Sequence, residues 1–93
     1  MSIDFEWDVN KAKSNLHKHG VSFEEASTVF DDPLSVTVDD SEHSTEESRY
    51  LTIGTSDRTR LVVVFHCDRN SRIRLISARC ATQSERSDYE RGT

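Results

Sequence analysis

Apolar residues change their spacing several times along this chain, and each spacing predicts an element. Ile3, Phe5 and Trp7 alternate with polar neighbours, the period of a half-buried strand, and Asp8 stands where it can cap a helix beginning at Val9. From Val9 to His19 the apolar positions Val9, Ala12 and Leu16 fall three and four apart, and Gly20 follows as the residue that ends a helix. Ser22 and Glu25 have the spacing of a capping box, flanked by Val21 and Ala26 as a hydrophobic staple, so a second helix starts here and stops before Pro33. Leu34, Val36 and Val38 then alternate as a strand.

The polar, mostly acidic stretch 39–48 has no period and reads as a solvated loop, with His43 idle inside it. Three strands follow at 49–54, 60–67 and 72–78, joined by turns short enough to demand an antiparallel meander. Leu61 to Phe65 is apolar on both parities, as a central strand covered on both faces requires. Thr82 and Glu85 repeat the capping-box spacing and open a short last helix. The expectation is an α+β fold in which an antiparallel sheet of about four to five strands carries two N-terminal helices and one short C-terminal helix.

At 93 residues the chain is expected to form one domain, 1–93. It has no apolar run near the roughly 20 residues that cross a bilayer, and "MSIDFEWDVNK" has no basic-then-apolar leader, so a cytoplasmic location with no membrane partner is expected. Cys67 and Cys80 form no C-x-x-C pattern and read as reduced thiols rather than a disulfide or a zinc site.

The net charge of −5 conceals a division. Residues 1–48 carry three lysines against twelve carboxylates, whereas residues 49–93 carry nine arginines against five carboxylates. Such segregation lets an acidic body present a local positive site, so the overall charge does not exclude RNA. The same arginines also suit ion pairs with the acidic half, and composition alone leaves both readings open.

Two groups have the chemistry for a site. In "NLHKHGVSF" (15–23), His19 shares the stripe of Ala12 and Leu16 and is the inward histidine. His17 diverges from it by about 200° on a helix, so the two do not chelate one metal. An imidazole there also serves simply to cap the last helical carbonyls. On the last strand, Arg72 and Arg74 share a parity with Ile76, while Ile73 and Leu75 share the other with Ser77 and Arg79. Such arginines, joined by Arg49, suit a phosphate clamp, or else a solvated face lying over apolar neighbours.

Beyond these readings, "FEWD" (5–8), "NLHKHGVSFEEASTVFDDP" (15–33), "RYLTIG" (49–54), "LVVVF" (61–65), "RIRLISAR" (72–79) and "ERSDYE" (85–90) closely resemble the BrnT toxins of bacterial type II toxin–antitoxin systems. The resemblance runs from about residue 5 to residue 90. It implies a compact ribonuclease of RelE-like fold that inhibits translation and growth by cutting RNA without a metal or other cofactor. It implies a BrnA-type antitoxin whose ribbon-helix-helix part binds operator DNA, the toxin meeting DNA only within that complex, as in a hetero-tetramer. By the same resemblance Lys18 and His19 match the Lys-His-Gly signature, Arg49 the "RY-TIG" strand, Arg79 the "ISAR" motif and Tyr89 the "DYE" ending.

With Arg74 added for its place beside these, the expected catalytic residues are Lys18, His19, Arg49, Arg74, Arg79 and Tyr89. His19 is expected to transfer protons, the arginines to hold the phosphate, and Lys18 to add charge or act as acid. The stretch "FHCDRNSR" departs from the family pattern, and no role transfers to His66. The competing expectation is a non-catalytic module whose arginine face docks an acidic partner or acts only as co-repressor in an antitoxin–DNA complex.

Overall fold

The computed structural model describes residues 3–43 and 47–91. The centre of the acidic stretch, residues 44–46, lies outside the described residues, as does the side chain of His43. In chain order the elements are β1 (Phe5–Glu6), α1 (Val9–His19), α2 (Phe23–Thr28), a 3-10 turn (Val29–Asp31), β2 (Val36–Asp39), a second 3-10 turn (Ser41–His43), β3 (Arg49–Thr55), β4 (Leu61–Arg69), β5 (Arg72–Cys80) and α3 (Gln83–Arg91).

The helix ends follow local chemistry. Asp8 Oδ1 accepts the amides of Asn10 and Lys11, opening α1, and Gly20 closes it at φ 71°, a left-handed conformation that costs other L-residues strain. Ser22 Oγ accepts the Glu25 amide, but Glu25 does not return the bond as a capping box would. Its carboxylate turns inward to Arg60 Nε (2.9 Å) and Ser56 Oγ (2.7 Å), and Arg60 Nη2 also donates to the carbonyl of Gly20 (3.0 Å). The α1–α2 junction is thereby fastened to the β3–β4 turn. The second capping box is complete, with Thr82 N donating to Glu85 Oε1 and Glu85 N to Thr82 Oγ1.

The five strands form one sheet in the order β1-β5-β4-β3-β2. β2 to β5 are the expected antiparallel meander, and Asn70 and Ser71, both at positive φ (52° and 64°), make the two-residue turn that joins β4 to β5. β1 corrects the expectation of a wholly antiparallel sheet, because it pairs with β5 in parallel, Phe5 against Ile73 and Glu6 against Arg74. No tight turn links those two strands, so no hairpin geometry fixes their relative direction.

α1 and α2 cover one face of the sheet. Val21, Phe23, Ala26 and Val29 pack there against Val62, Val64, Leu75 and Ala78, with Phe5, Trp7, Ala12, Phe30 and Ile73 at the margin. Of the apolar run Leu61 to Phe65, Leu61 to Val64 are buried as expected, whereas Phe65 at its end is only half-buried.

The stripe expected to face inward on α1 does not do so. Val9 and Leu16 remain 63 % and 52 % exposed, and the buried residue of the helix is Asn15. Its Nδ2 donates to the carbonyls of Val21 and Ala78, both at 2.9 Å, and its Oδ1 accepts from Ala78 N (3.1 Å) and Ser77 Oγ (3.2 Å). β1 reaches only as far as Arg74 along the outer edge of β5, so the carboxamide takes over edge pairing where that strand stops.

Candidate functional site

β4 and β5 pair regularly except at one step. Phe65 opposes Ser77 and His66 opposes Leu75, so Ile76 is an extra residue, a β-bulge. The bulge reverses the parity expected along β5. Arg79 pairs with Val63 and Arg74 with Cys67, and Val63 and Cys67 point to the same side of β4. Arg49 pairs with Cys67 from the other flank. Arg49, Arg74 and Arg79 therefore all project from the sheet face opposite α1 and α2, where unbroken alternation would have put Arg74 and Arg79 on opposite faces.

On that face a depression of about 230 Å³ is lined by Asp40, Arg49, Phe65, Ile76 and Ser77. A second, of about 200 Å³, is lined by Lys11, Ser14, Asn15, Lys18, His19, Ile76 and Ser77. Ile76 and Ser77 belong to both, so the bulge forms a shared wall between the sheet face and the last turn of α1. His19 is exposed, which corrects the expected inward placement. The physical reason is Asn15: with its carboxamide on the β5 edge, the residues three and four further on, Lys18 and His19, border that edge from solvent.

The arginines carry partners. Glu85 takes both arms of Arg79, Nη1 at 2.7 Å and Nη2 at 2.8 Å, and that fork holds the Glu85 carboxyl down at about 2. The Arg79 guanidinium also lies 5.6 Å from the centroid of the Phe65 ring. Arg74 donates to Glu6 (3.0 Å), with Arg72 at 3.8 Å from the same carboxylate. Neither Arg74 nor Arg79 lines the two depressions.

Tyr89 stands apart from both. Its hydroxyl donates to Asp32 Oδ2 (2.7 Å), an oxygen that also accepts the Thr55 amide (2.8 Å), so it ties α3 to the far side of the meander. Of the six expected residues, the fold brings Lys18, His19 and Arg49 around one continuous surface, sets Arg79 beside it through Phe65, and leaves Arg74 and Tyr89 in structural bonds.

Sequence reasoning missed Asn15, Ser77 and Phe65. Asn15 had a signal in its spacing to Lys18 and His19, whereas the position of Ser77 depends on the bulge, which leaves none. Buried His66 lies on the helix side, its Nε2 bonded to Thr52 Oγ1 (2.7 Å) and its Nδ1 without a partner among the described residues, and burial pushes its pKa down. Burial likewise pushes the Cys67 thiol up, which keeps it from acting as a thiolate nucleophile. Among the described residues, no cluster of three or more His, Cys, Asp or Glu is arranged to hold a metal ion.

The crystal structure of the ribonuclease toxin BrnT of Brucella abortus is similar, with a TM-score of 0.67 at 21 % identity over 88 % of this chain and 100 % of that one. At that identity the likeness shows a shared fold. No curated protein matches the chain. The family model described as "Ribonuclease toxin, BrnT, of type II toxin-antitoxin system" matches residues 7–85, a span that holds the helix junction, the meander and the bulge together. The chain belongs to the BrnT family of type II toxin–antitoxin ribonuclease toxins.

Proposed function

We propose that this chain is an endoribonuclease that cuts RNA without a metal, arresting translation and growth in the cytoplasm until a BrnA-type antitoxin covers it. The observation that carries the reading is the continuous surface joining Lys18 and His19 to Arg49 through Ile76 and Ser77, with Arg79 beside it. Cleavage by the RNA's own 2′-hydroxyl needs a base at that hydroxyl, an acid at the leaving 5′-oxygen and cations around the phosphate. Imidazole exchanges protons near neutral pH, and the exposed His19 is open to substrate, so it takes the proton-transfer role. Lys18 adds charge or acts as acid. Arg49 and Arg79 hold the phosphate, with Arg74 adding positive charge further along the face.

For this the Arg79 fork exchanges the Glu85 carboxylate for phosphoryl oxygens, which offer a similar pair of acceptors. Tyr89 anchors α3, the helix that carries Glu85. The antitoxin meets operator DNA through a ribbon-helix-helix part, and the two chains assemble as a hetero-tetramer.

The test is incubation of the purified, partner-free chain with total RNA in EDTA, beside an Arg79→Ala variant checked by circular dichroism. Cutting by the wild type alone is the expected result, and intact RNA in both samples ends the reading for naked RNA. A second reading has its own support: Arg79 already grips a carboxylate with both arms, as it would grip an acidic partner. Expression without antitoxin separates the two, since a docking module leaves growth unchanged.

A further inference from the structure

The three lysines of the chain all stand on α1, a helix without a single carboxylate in a half of the sequence that is otherwise rich in them. Lys11, Ser14 and Lys18 are spaced three and four apart and so share one stripe of that helix. All three are exposed, and all three line the depression of about 200 Å³ between α1 and the bulge of β5.

Helix stability accounts for one of these lysines and not for the other. Lys18 lies in the last turn, where the negative end of the helix dipole favours a cation. Lys11 lies in the first turn, where the same dipole opposes it. The Asp8 carboxylate, which feels the charge of Lys11, keeps its Oδ1 on the amides of Asn10 and Lys11 and does not line the depression. A cation set against the local preference of its element points to a task outside the fold.

The lining names the class of ligand. Asn15 spends its side chain on Val21, Ala78 and Ser77, and Ser77 spends its hydroxyl on Asn15, so Lys11, Ser14, Lys18 and His19 are the polar groups that face a visitor. An ammonium group only donates, and among the described residues no carboxylate lines the space, so its chemistry suits an anion. Lys11 and Lys18 are separated by roughly 10 Å along the helix axis, a length that suits an extended polyanion lying on the helix. Ile76 and Ser77 also wall the depression that holds Arg49, so one path leads from the arginines past Lys18 to Lys11.

We infer that Lys11 and Ser14 form a second phosphate subsite, which holds the backbone phosphate next to the one cleaved and lays the RNA along α1. The inference rests on the ribonuclease reading and adds two binding residues to the same surface. It reads charge and no base.

The probe is a fluorescent hexauridylate, 2′-O-methylated throughout so that the nucleophile is blocked, bound to the full chain across a salt series and followed by anisotropy. On single strands the logarithm of affinity falls with that of salt by about 0.7 for each phosphate neutralised. Lys11→Gln is expected to make the slope shallower by about 0.7 and to weaken binding several-fold at low salt. Ser14→Asp, which sets a carboxylate between the two lysines, should weaken binding further. Lys13→Gln removes the same charge from the same helix but outside this depression, and should keep the wild-type slope. The three positions are exposed, so each variant should keep the far-UV spectrum. A Lys11→Gln slope equal to that of the wild type, an equal change in Lys13→Gln, or no measurable binding overturns the subsite. Cleavage of total RNA by the wild type is scored separately: cutting with an unaltered Lys11→Gln slope removes the subsite alone, and a Lys11-dependent slope without cutting removes the ribonuclease reading alone.

Discussion

Asn15 bonds Ala78 through both its amide nitrogen and its carbonyl oxygen, doing with one side chain what a paired strand does with backbone. Replacing Asn15 with Ala leaves the Ala78 amide and the carbonyls of Ala78 and Val21 without these partners in a buried place. The expected loss is about 3 kcal/mol of stability, within the cost of unsatisfied buried groups. Urea denaturation followed by the fluorescence of Trp7 measures it, and a loss below about 1 kcal/mol would show that water or backbone shifts satisfy the edge instead.

His19→Gln separates chemistry from folding because the side chain is exposed. Cleavage should fall about 100-fold in kcat, as expected of a lost general acid or base. The far-UV spectrum and denaturation midpoint should stay where they are. A variant that cuts normally removes His19 from the proposed site.

Glu85→Gln tests the hold on Arg79. The neutral amide pairs more weakly with the guanidinium, so RNA should bind several-fold tighter while stability drops by about 1 kcal/mol, the pair being partly screened by solvent. The acid limb follows from the sign of the shift. The folded carboxyl sits at about 2 against an ordinary 4.5, so its contribution is whole above pH 4.5 and is lost as the pH falls toward 2. The variant should lack that component in a pH series of unfolding midpoints.

His66 sets the next limb. Burial holds it neutral, against a weaker opposing pull from Asp68, so the unfolded chain takes up a proton below its ordinary value of 6.5 that the folded chain refuses. Stability is therefore full above pH 6.5 and declines as the pH drops below it. Between pH 7.5 and 5.5 the midpoint of thermal unfolding should therefore fall. His66→Gln should flatten that part of the curve, and an unchanged slope would assign it to another group.

Much of this arrangement can be read from residue order because the reasons are local. Ser22, Thr82, Asp8 and Gly20 mark helix ends by bonds to neighbours a few residues away, alternation finds β3 and β5, and an unbroken apolar run finds β4. What cannot be read depends on long-range pairing. Glu25 has the spacing of a capping residue but meets Arg60, 35 positions on, and leaves its cap half-made. The direction of His19 follows from Asn15 reaching Ala78, 63 residues away, rather than from the apolar stripe of its own helix. The shared face of Arg74 and Arg79 follows from a register step that no run of residue types announces.

That register step also separates the shape of the surface from its charge. Leu75 and Ser77 already oppose the adjacent residues His66 and Phe65, so a chain lacking Ile76 would pair without interruption and keep every arginine on the face it now occupies. What such a chain would lose is the Ile76 part of the wall common to the two depressions. The fold thus offers one position where a single residue can be removed to flatten the relief between helix and sheet while the electrostatic pattern stays in register, and a length change there is a change of contour alone.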